Sequence, residues 1–242
     1  MIRATVWNEF VEEKIYPSVS SVYPDGIHVV LAQALGDELA QEVQVRTAVM
    51  QDDEHGLTDD VLAATDVLLW WSHLENDAVS DEIVARVQRR VHQGMGLLIL
   101  HSAILSKVAK TLLGTSNDAT GWRHGDKEHL WTILPTHPIA AGVPNPVVIP
   151  QQEMYGEPID IPTPDELVFI SNFEGGEVLR SGCAYLRGQG RIFFFAPGHE
   201  EYPVYFQPEI RRILGNAVRW AAAGLPAPAR PTRTGEYPAS GG

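Results

Sequence analysis

Gly96-Leu-Leu-Ile-Leu-His-Ser-Ala103 joins a short apolar run to a polar turn. Leu97 to Leu100 carry no polar side chain and read as a strand buried on both faces. His101 and Ser102 follow at once, and a helix-like run extends from Ala103 to Leu113. A buried strand that turns directly into a helix presents its turn residue at the carboxyl edge of a sheet. In open α/β sheets that edge is where ligands bind.

The same alternation runs back toward the N-terminus. Arg3 to Trp7, Gln44 to Val49 and Val67 to Trp71 read as strands. Between them, Ile27, Val30, Leu31, Ala34, Leu35 and Leu39 recur at helical spacing, with Asp25 as a cap. Thr58 caps a short helix through Ala64, and Ser80 caps a helix carrying Ile83, Val84, Val87 and Val91, with Gly94 as its stop. Strands alternating with helices over short connections imply an α/β fold with a mostly parallel central sheet.

Regularity lapses from Gly114 to about Glu128, where Gly121-Trp-Arg-His-Gly125 reads as a loop over the sheet edge. Further strands are expected at Leu130–Leu134, Val147–Ile149, Leu167–Ser171, Cys183–Arg187 and Arg191–Ala196. Pro208 opens a terminal helix. Residues 1–223 make one domain, and the Pro-, Ala-, Arg- and Gly-rich segment 224–242 is expected to be a disordered tail.

Composition narrows the function. The net charge of −13 with neutral His disfavours nucleic acid and anionic membrane surfaces as partners. No apolar run reaches the roughly 18–20 residues of a membrane span, and the N-terminus carries no signal-peptide pattern. The single cysteine, Cys183, excludes an internal disulfide and fits a cytoplasmic location. Neither a Gly-x-Gly-x-x-Gly motif nor a phosphate loop is present, so no nucleotide or flavin is expected.

The polar residues just past each strand are the candidates for chemistry. Glu9 follows the first strand, Asp52 and His55 the second, His73 the third and His101 the fourth. Glu153 and His199 follow two of the later strands, and His28 lies in the first turn of a helix starting at the same edge. His124 sits in the irregular segment. Imidazole and carboxylate together support acid–base catalysis, or a divalent metal such as Zn²⁺. His101, His199 and Glu153 are read as catalytic, Glu9, His73 and Tyr155 as substrate-binding, and His28, His101, His199 and Glu153 as metal ligands. Trp7, Trp70, Trp71 or Tyr155 are candidate sugar-stacking walls, with core packing as the alternative for each and the favoured reading for Trp70 or Trp71, since a strand alternates its faces. Gly-x-Ser-x-Gly is absent and Cys183 falls inside a strand pattern, so a covalent nucleophile is a minor reading.

Several longer stretches resemble the trehalose utilization (ThuA-like) family. They are Val6-Trp-Asn-Glu9, Tyr23-Pro-Asp-Gly-Ile-His28, Glu54-His-Gly-Leu-Thr-Asp-Asp60, Trp70-Trp-Ser-His73, His92-Gln-Gly-Met-Gly96, Leu100-His-Ser-Ala103, Glu153-Met-Tyr-Gly-Glu157, Gly175-Gly-Glu-Val178 and Ala196-Pro-Gly-His-Glu200. The resemblance implies a flavodoxin-like three-layer sandwich related to class I glutamine amidotransferases. That superfamily places a Cys at the strand–turn–helix elbow, whereas this chain has His101, so glutaminase activity does not carry over.

The resemblance further implies carbohydrate catabolism, with a disaccharide or 3-keto-disaccharide as substrate and a sugar-oxidising oxidoreductase as pathway partner. Elimination, isomerisation or hydrolysis by acid–base or metal-assisted chemistry is the expected reaction. The alternative is a non-catalytic sugar-binding or regulatory module. Flavodoxin-like relatives often dimerise, so a homo-oligomer is one expectation, but the sequence carries no interface signal and leaves the oligomeric state open.

Overall fold

The computed structural model describes residues 1–224. The expected tail, 224–242, lies outside the described residues apart from Gly224. The parallel strands are β1 (Ile2–Asn8), β2 (Val43–Val49), β3 (Val67–Trp71), β4 (Gly96–Leu100) and β9 (Gly190–Phe195). Beyond β9 the sheet continues through β8 (Val178–Arg187), β7 (Glu166–Phe173), β5 (Trp122–Thr132) and β6 (Val147–Tyr155). The full order is β2-β1-β3-β4-β9-β8-β7-β5-β6.

The expectation of a mostly parallel sheet is corrected here. Four neighbouring pairs are parallel and four antiparallel, so the sheet is mixed. The chain places helices between its first strands, which forces parallel crossovers, but only short connections between its later ones, which lets them pair antiparallel.

Helices cover both faces. On one, α3 (Ile27–Leu39) and α7 (Pro208–Ala222) pack Leu31, Leu35, Ile213 and Leu214 against Val6, Leu69, Trp71, Leu98 and Leu100. On the other, α4 (Asp59–Ala63), α5 (Asp81–His92) and α6 (Lys107–Leu113) pack Leu62, Val87, Val91 and Val108 against Trp7, Leu68, Trp70, Leu97 and Ile99. Successive strand residues thus feed opposite cores. Each fully buried aliphatic side chain contributes roughly 1.5–3 kcal/mol of transfer free energy. The expected caps form: Thr58 accepts the Val61 N–H and Ser80 the Ile83 N–H. Asp25 does not cap α3, whose N-cap is Gly26.

The segment read as a loop over Gly121–Gly125 is part of β5, an 11-residue strand. Its pairing with β6 shifts register twice, between Arg123 and Asp126 and between Asp126 and Glu128. Such bulges bend a strand. The far end of the β5–β6 ribbon thereby reaches the carboxyl ends of β4 and β9, although both strands lie at the distant side of the sheet.

Candidate active site

The elbow forms as read. His101 follows β4 with φ +51°, in the left-handed region that β-carbon-bearing residues rarely occupy. Its side chain is fully buried. Nδ1 donates to the Ala196 carbonyl at 2.7 Å, and Nε2 lies 3.1 Å from Glu153 Oε2. His101 and Glu153 thus form a buried, hydrogen-bonded imidazole–carboxylate pair. Burial raises the Glu153 carboxyl, but the hydrogen bond and charge of His101 overcome this and bring it down to about 2. Tyr155 stacks on the His101 ring, with centroids 5.1 Å apart, and its hydroxyl lies 3.4 Å from Nε2.

His199 arrives from the loop after β9. Gly198 precedes it at φ +141°, and a β-carbon there would collide with the Tyr205 hydroxyl. The Gly198 carbonyl accepts the Trp71 indole N–H, and the His199 N–H donates to Gln152 Oε1. His199 Nδ1 accepts the Glu201 N–H at 3.1 Å. That bond leaves the ring proton of the neutral imidazole on Nε2. Nε2 is buried and has no hydrogen-bond partner among the described residues. It points between Glu200 Oε1 at 3.4 Å and Glu153 Oε1 at 3.8 Å. Burial, with the nearby His101 charge, pushes the His199 imidazole down to about 4, so it is neutral at pH 7.

Two partners were not singled out by sequence. His73 Nδ1 lies 2.9 Å from Glu12 Oε2 and 3.3 Å from Glu200 Oε1. Burial lowers its pKa, but the two carboxylates outweigh this and raise it to about 11. His73 is therefore a fixed cation that clamps Glu200 beside His199. Glu12 lies in the short helix α1 (Glu12–Ile15), which α2 (Pro17–Val22) follows at once, and Glu200 directly follows His199. His124, read as part of a loop, enters the site from β5: its Nε2 is 3.4 Å from Glu153 Oε1 and its ring centroid 4.9 Å from that of His199.

Other sequence candidates lie elsewhere. Glu9 accepts the backbone N–H groups of His73, Leu74 and Glu75 at 2.9, 3.0 and 2.9 Å. Its acceptor capacity goes to folding the loop after β3, which carries His73, and not to a substrate. Glu9→Gln turns one acceptor into a donor facing an N–H. We expect it to lower unfolding free energy by about 1–3 kcal/mol in urea titrations; an unchanged midpoint would contradict the role. His28 shares a hydrogen bond with Asn8 Nδ2 and packs on Phe10, and it joins none of the clusters around Glu153 and Glu200. His55 donates to the Met50 carbonyl. Trp7 and Trp70 stack on each other in the core, and Trp71 is buried on the other face, so none is a sugar wall. Cys183 is buried and its thiol pushed up to about 12, and the Ser102 hydroxyl donates to the Ser72 carbonyl. Neither is placed as a nucleophile.

Three clusters bring potential metal-ligand atoms within 4.8 Å of one another among the described residues: His101–Glu153–His199, His124–His199–Glu201 and Glu12–His73–Glu200. His101, oriented by a backbone carbonyl, resembles a ligand histidine in its outer bond. His199 does not fit, because its Nε2 carries the proton that ligation would require to be absent. His73 Nδ1 likewise donates to Glu12 Oε2. The three clusters run into one another as a single array of imidazoles and carboxylates.

No helix among the described residues is long and apolar enough to cross a membrane. Solved structures share the fold. A putative ThuA-like protein from Parabacteroides merdae superposes with TM-score 0.69 at 16% identity, over 92% of this chain and 90% of that one. A protein from Salmonella typhimurium LT2 described as cytoplasmic superposes with TM-score 0.60 at 11% identity, over 91% and 99%. A cold-adapted β-galactosidase from Rahnella sp. R3 matches with TM-score 0.55 at 12% identity, over 85% of this chain but 30% of its own. No curated protein matches the chain. The family model for trehalose utilisation matches residues 3–221, from β1 to the end of α7, with His101, Glu153 and His199 inside it, and the chain belongs to this ThuA family.

Proposed function

We propose that the protein is an acid–base enzyme of sugar catabolism that enolises a keto-disaccharide at the carbon next to its ketone. The observation that carries this reading is the buried, unpartnered Nε2–H of His199 beside the Glu153 carboxylate. A neutral imidazole N–H next to a carboxylate base is the pairing that proton abstraction beside a carbonyl uses. Membership of a trehalose utilisation family supports a sugar as the substrate.

In a 3-keto-disaccharide the C2 proton is acidified by the C3 ketone. Glu153 Oε1, the oxygen not bonded to His101, takes that proton. The C2–H electron pair moves toward C3, and charge develops on the carbonyl oxygen, where His199 Nε2–H donates to it. His73 keeps Glu200 in place beside the His199 ring, so the imidazole does not swing away. Return of the electron pair to form C1=C2 breaks the C1–O bond, and the departing glycosidic oxygen takes a proton from water while Glu153 later returns its proton to solvent. Protonation from the opposite side instead moves or inverts the centre.

The test is incubation with 3-keto-trehalose and with unoxidised trehalose in D₂O, followed by product NMR. Deuterium at C2 or release of the second sugar is expected from the keto form alone. Turnover is expected to survive dialysis against a chelator, since the array is held by protons. Loss of activity that added metal restores would overturn the acid–base reading. Binding with neither exchange nor cleavage would favour a sugar-binding module.

A further inference from the structure

Among the tryptophans, Trp7, Trp70 and Trp71 are buried in the cores, whereas Trp122 is 67% exposed. It opens β5 and is the cross-strand partner of Tyr155, with Arg123 opposite Met154. Directly opposed residues of an antiparallel pair project to the same face, with β-carbons about 4.5–5.5 Å apart. Tyr155 is the residue stacked on His101. His124, two positions along, touches Glu153 from the same ribbon. Trp122 is thus the outward neighbour of the acid–base array, on the side where His124 and Glu201 open to solvent.

The ribbon that presents it is braced. Arg123, on the opposite face, donates to both carboxylate oxygens of Asp126 at 2.8 and 2.5 Å, and to both of Glu177 at 2.8 and 2.9 Å. An exposed indole on a fixed strand is an apolar plate with a polar edge. The C–H face of a pyranose matches such a plate, and the imidazole and carboxylate beside it match the sugar hydroxyls.

We infer that Trp122 is the platform of an outer sugar subsite: the reacting ring enters the His101–Glu153–His199 array, and the second ring of the disaccharide stacks on Trp122, with His124 at the junction. This rests on the reading of the array as a sugar site, and it names which part of the substrate lies outside it. The platform discriminates two-ring from one-ring ligands and takes no part in proton transfer.

The experiment is calorimetric titration of the His199→Ala protein, which leaves the ligand intact, with 3-keto-trehalose and with methyl 3-keto-α-D-glucopyranoside. About tenfold tighter binding of the two-ring ligand is expected. Adding Trp122→Ala is expected to remove that advantage without weakening the one-ring ligand, and Trp122→Phe to keep most of it. Equal affinities before the Trp122 change, or an advantage that survives Trp122→Ala, would overturn the subsite while leaving the enolisation reading to the D₂O assay. Failure of both ligands to bind would remove subsite and sugar site together. A Trp122→Ala protein that changes its size-exclusion volume and not its ligand preference would make the patch a protein interface, which also overturns the proposal.

Discussion

Replacing His199 with alanine is expected to lower kcat for C2 exchange in a 3-keto-disaccharide by about 10²- to 10⁴-fold. The N–H it removes is aimed at no protein acceptor, so the loss falls on the developing enolate and not on the fold. The anchors of the loop are elsewhere: the Gly198 carbonyl on Trp71, and the backbone N–H of residue 199 on Gln152, both of which alanine retains. Near-wild-type melting with collapsed turnover is therefore the expected pair of results.

The pH profile separates this role from that of an ordinary histidine. Burial and the His101 charge bring His199 down to about 4. Protonating it breaks the Glu201 N–H bond to Nδ1, so the electrophile that functions is the neutral form. The acid limb of kcat that belongs to His199 is expected near pH 4, and not near the ordinary histidine value of about 6.5. A limb at 6.5 that disappears in the His199 variant would show a solvated, ordinary imidazole and contradict the buried arrangement. His199→Gln restores an N–H donor of similar reach and is expected to recover part of the loss, which alanine cannot.

The inner half of this site was legible because its signals are local. Leu97 to Leu100, four apolar residues between Gly96 and a polar turn, read as a buried strand, and the polar residue that ends such a run falls at the ligand edge. The same reasoning placed His199 after Ile192-Phe-Phe-Phe195, whereas Glu153, expected just past a strand at Val147–Ile149, lies inside the longer β6. What failed was anything set by pairing. The first residues of β5, Trp-Arg-His-Gly-Asp-Lys-Glu, carry no apolar alternation, so the strand that brings His124 and Trp122 to the site read as a loop. Its stability comes from cross-strand bonds and from the Arg123 ion pairs, which no periodicity reports. The antiparallel half of the sheet was hidden for the same reason. Glu9 shows the opposite ambiguity: a carboxylate after a strand is as apt to fold the neighbouring loop as to meet a ligand, and only the three N–H groups of residues 73–75 distinguish the cases. Glu200 had a signal in its position next to His199. Glu12 had none beyond its charge, because its partner His73 lies 61 residues away.

Glu128 is the second group whose change is expected to produce a large effect, and it concerns stability. It lies in β5, fully buried, with Oε1 accepting the Ser171 hydroxyl, which in turn accepts from Ser181. Its Oε2 has no hydrogen-bond partner among the described residues. Burial, only partly offset by the Ser171 bond, raises this carboxyl from 4.5 to about 7. Between pH 4.5 and 7 the folded chain thus holds a proton there that the unfolded chain has released. Because unfolding releases protons over this interval, stability falls as pH rises, by about 3 kcal/mol in all for this group. Glu128→Gln has the shape of the protonated acid and cannot ionise, so it removes this term and leaves every other titration in place. The unfolding free energy of the variant minus that of wild type is expected to grow by about 3 kcal/mol from pH 4.5 to pH 7. Below pH 4.5 and above about 7.5 the difference is expected to be flat. Any constant offset from packing the amide cancels in this comparison. Chemical denaturation of both proteins across the range measures it, and a difference independent of pH would show that Glu128 ionises at its ordinary value, with water or a cation reaching Oε2.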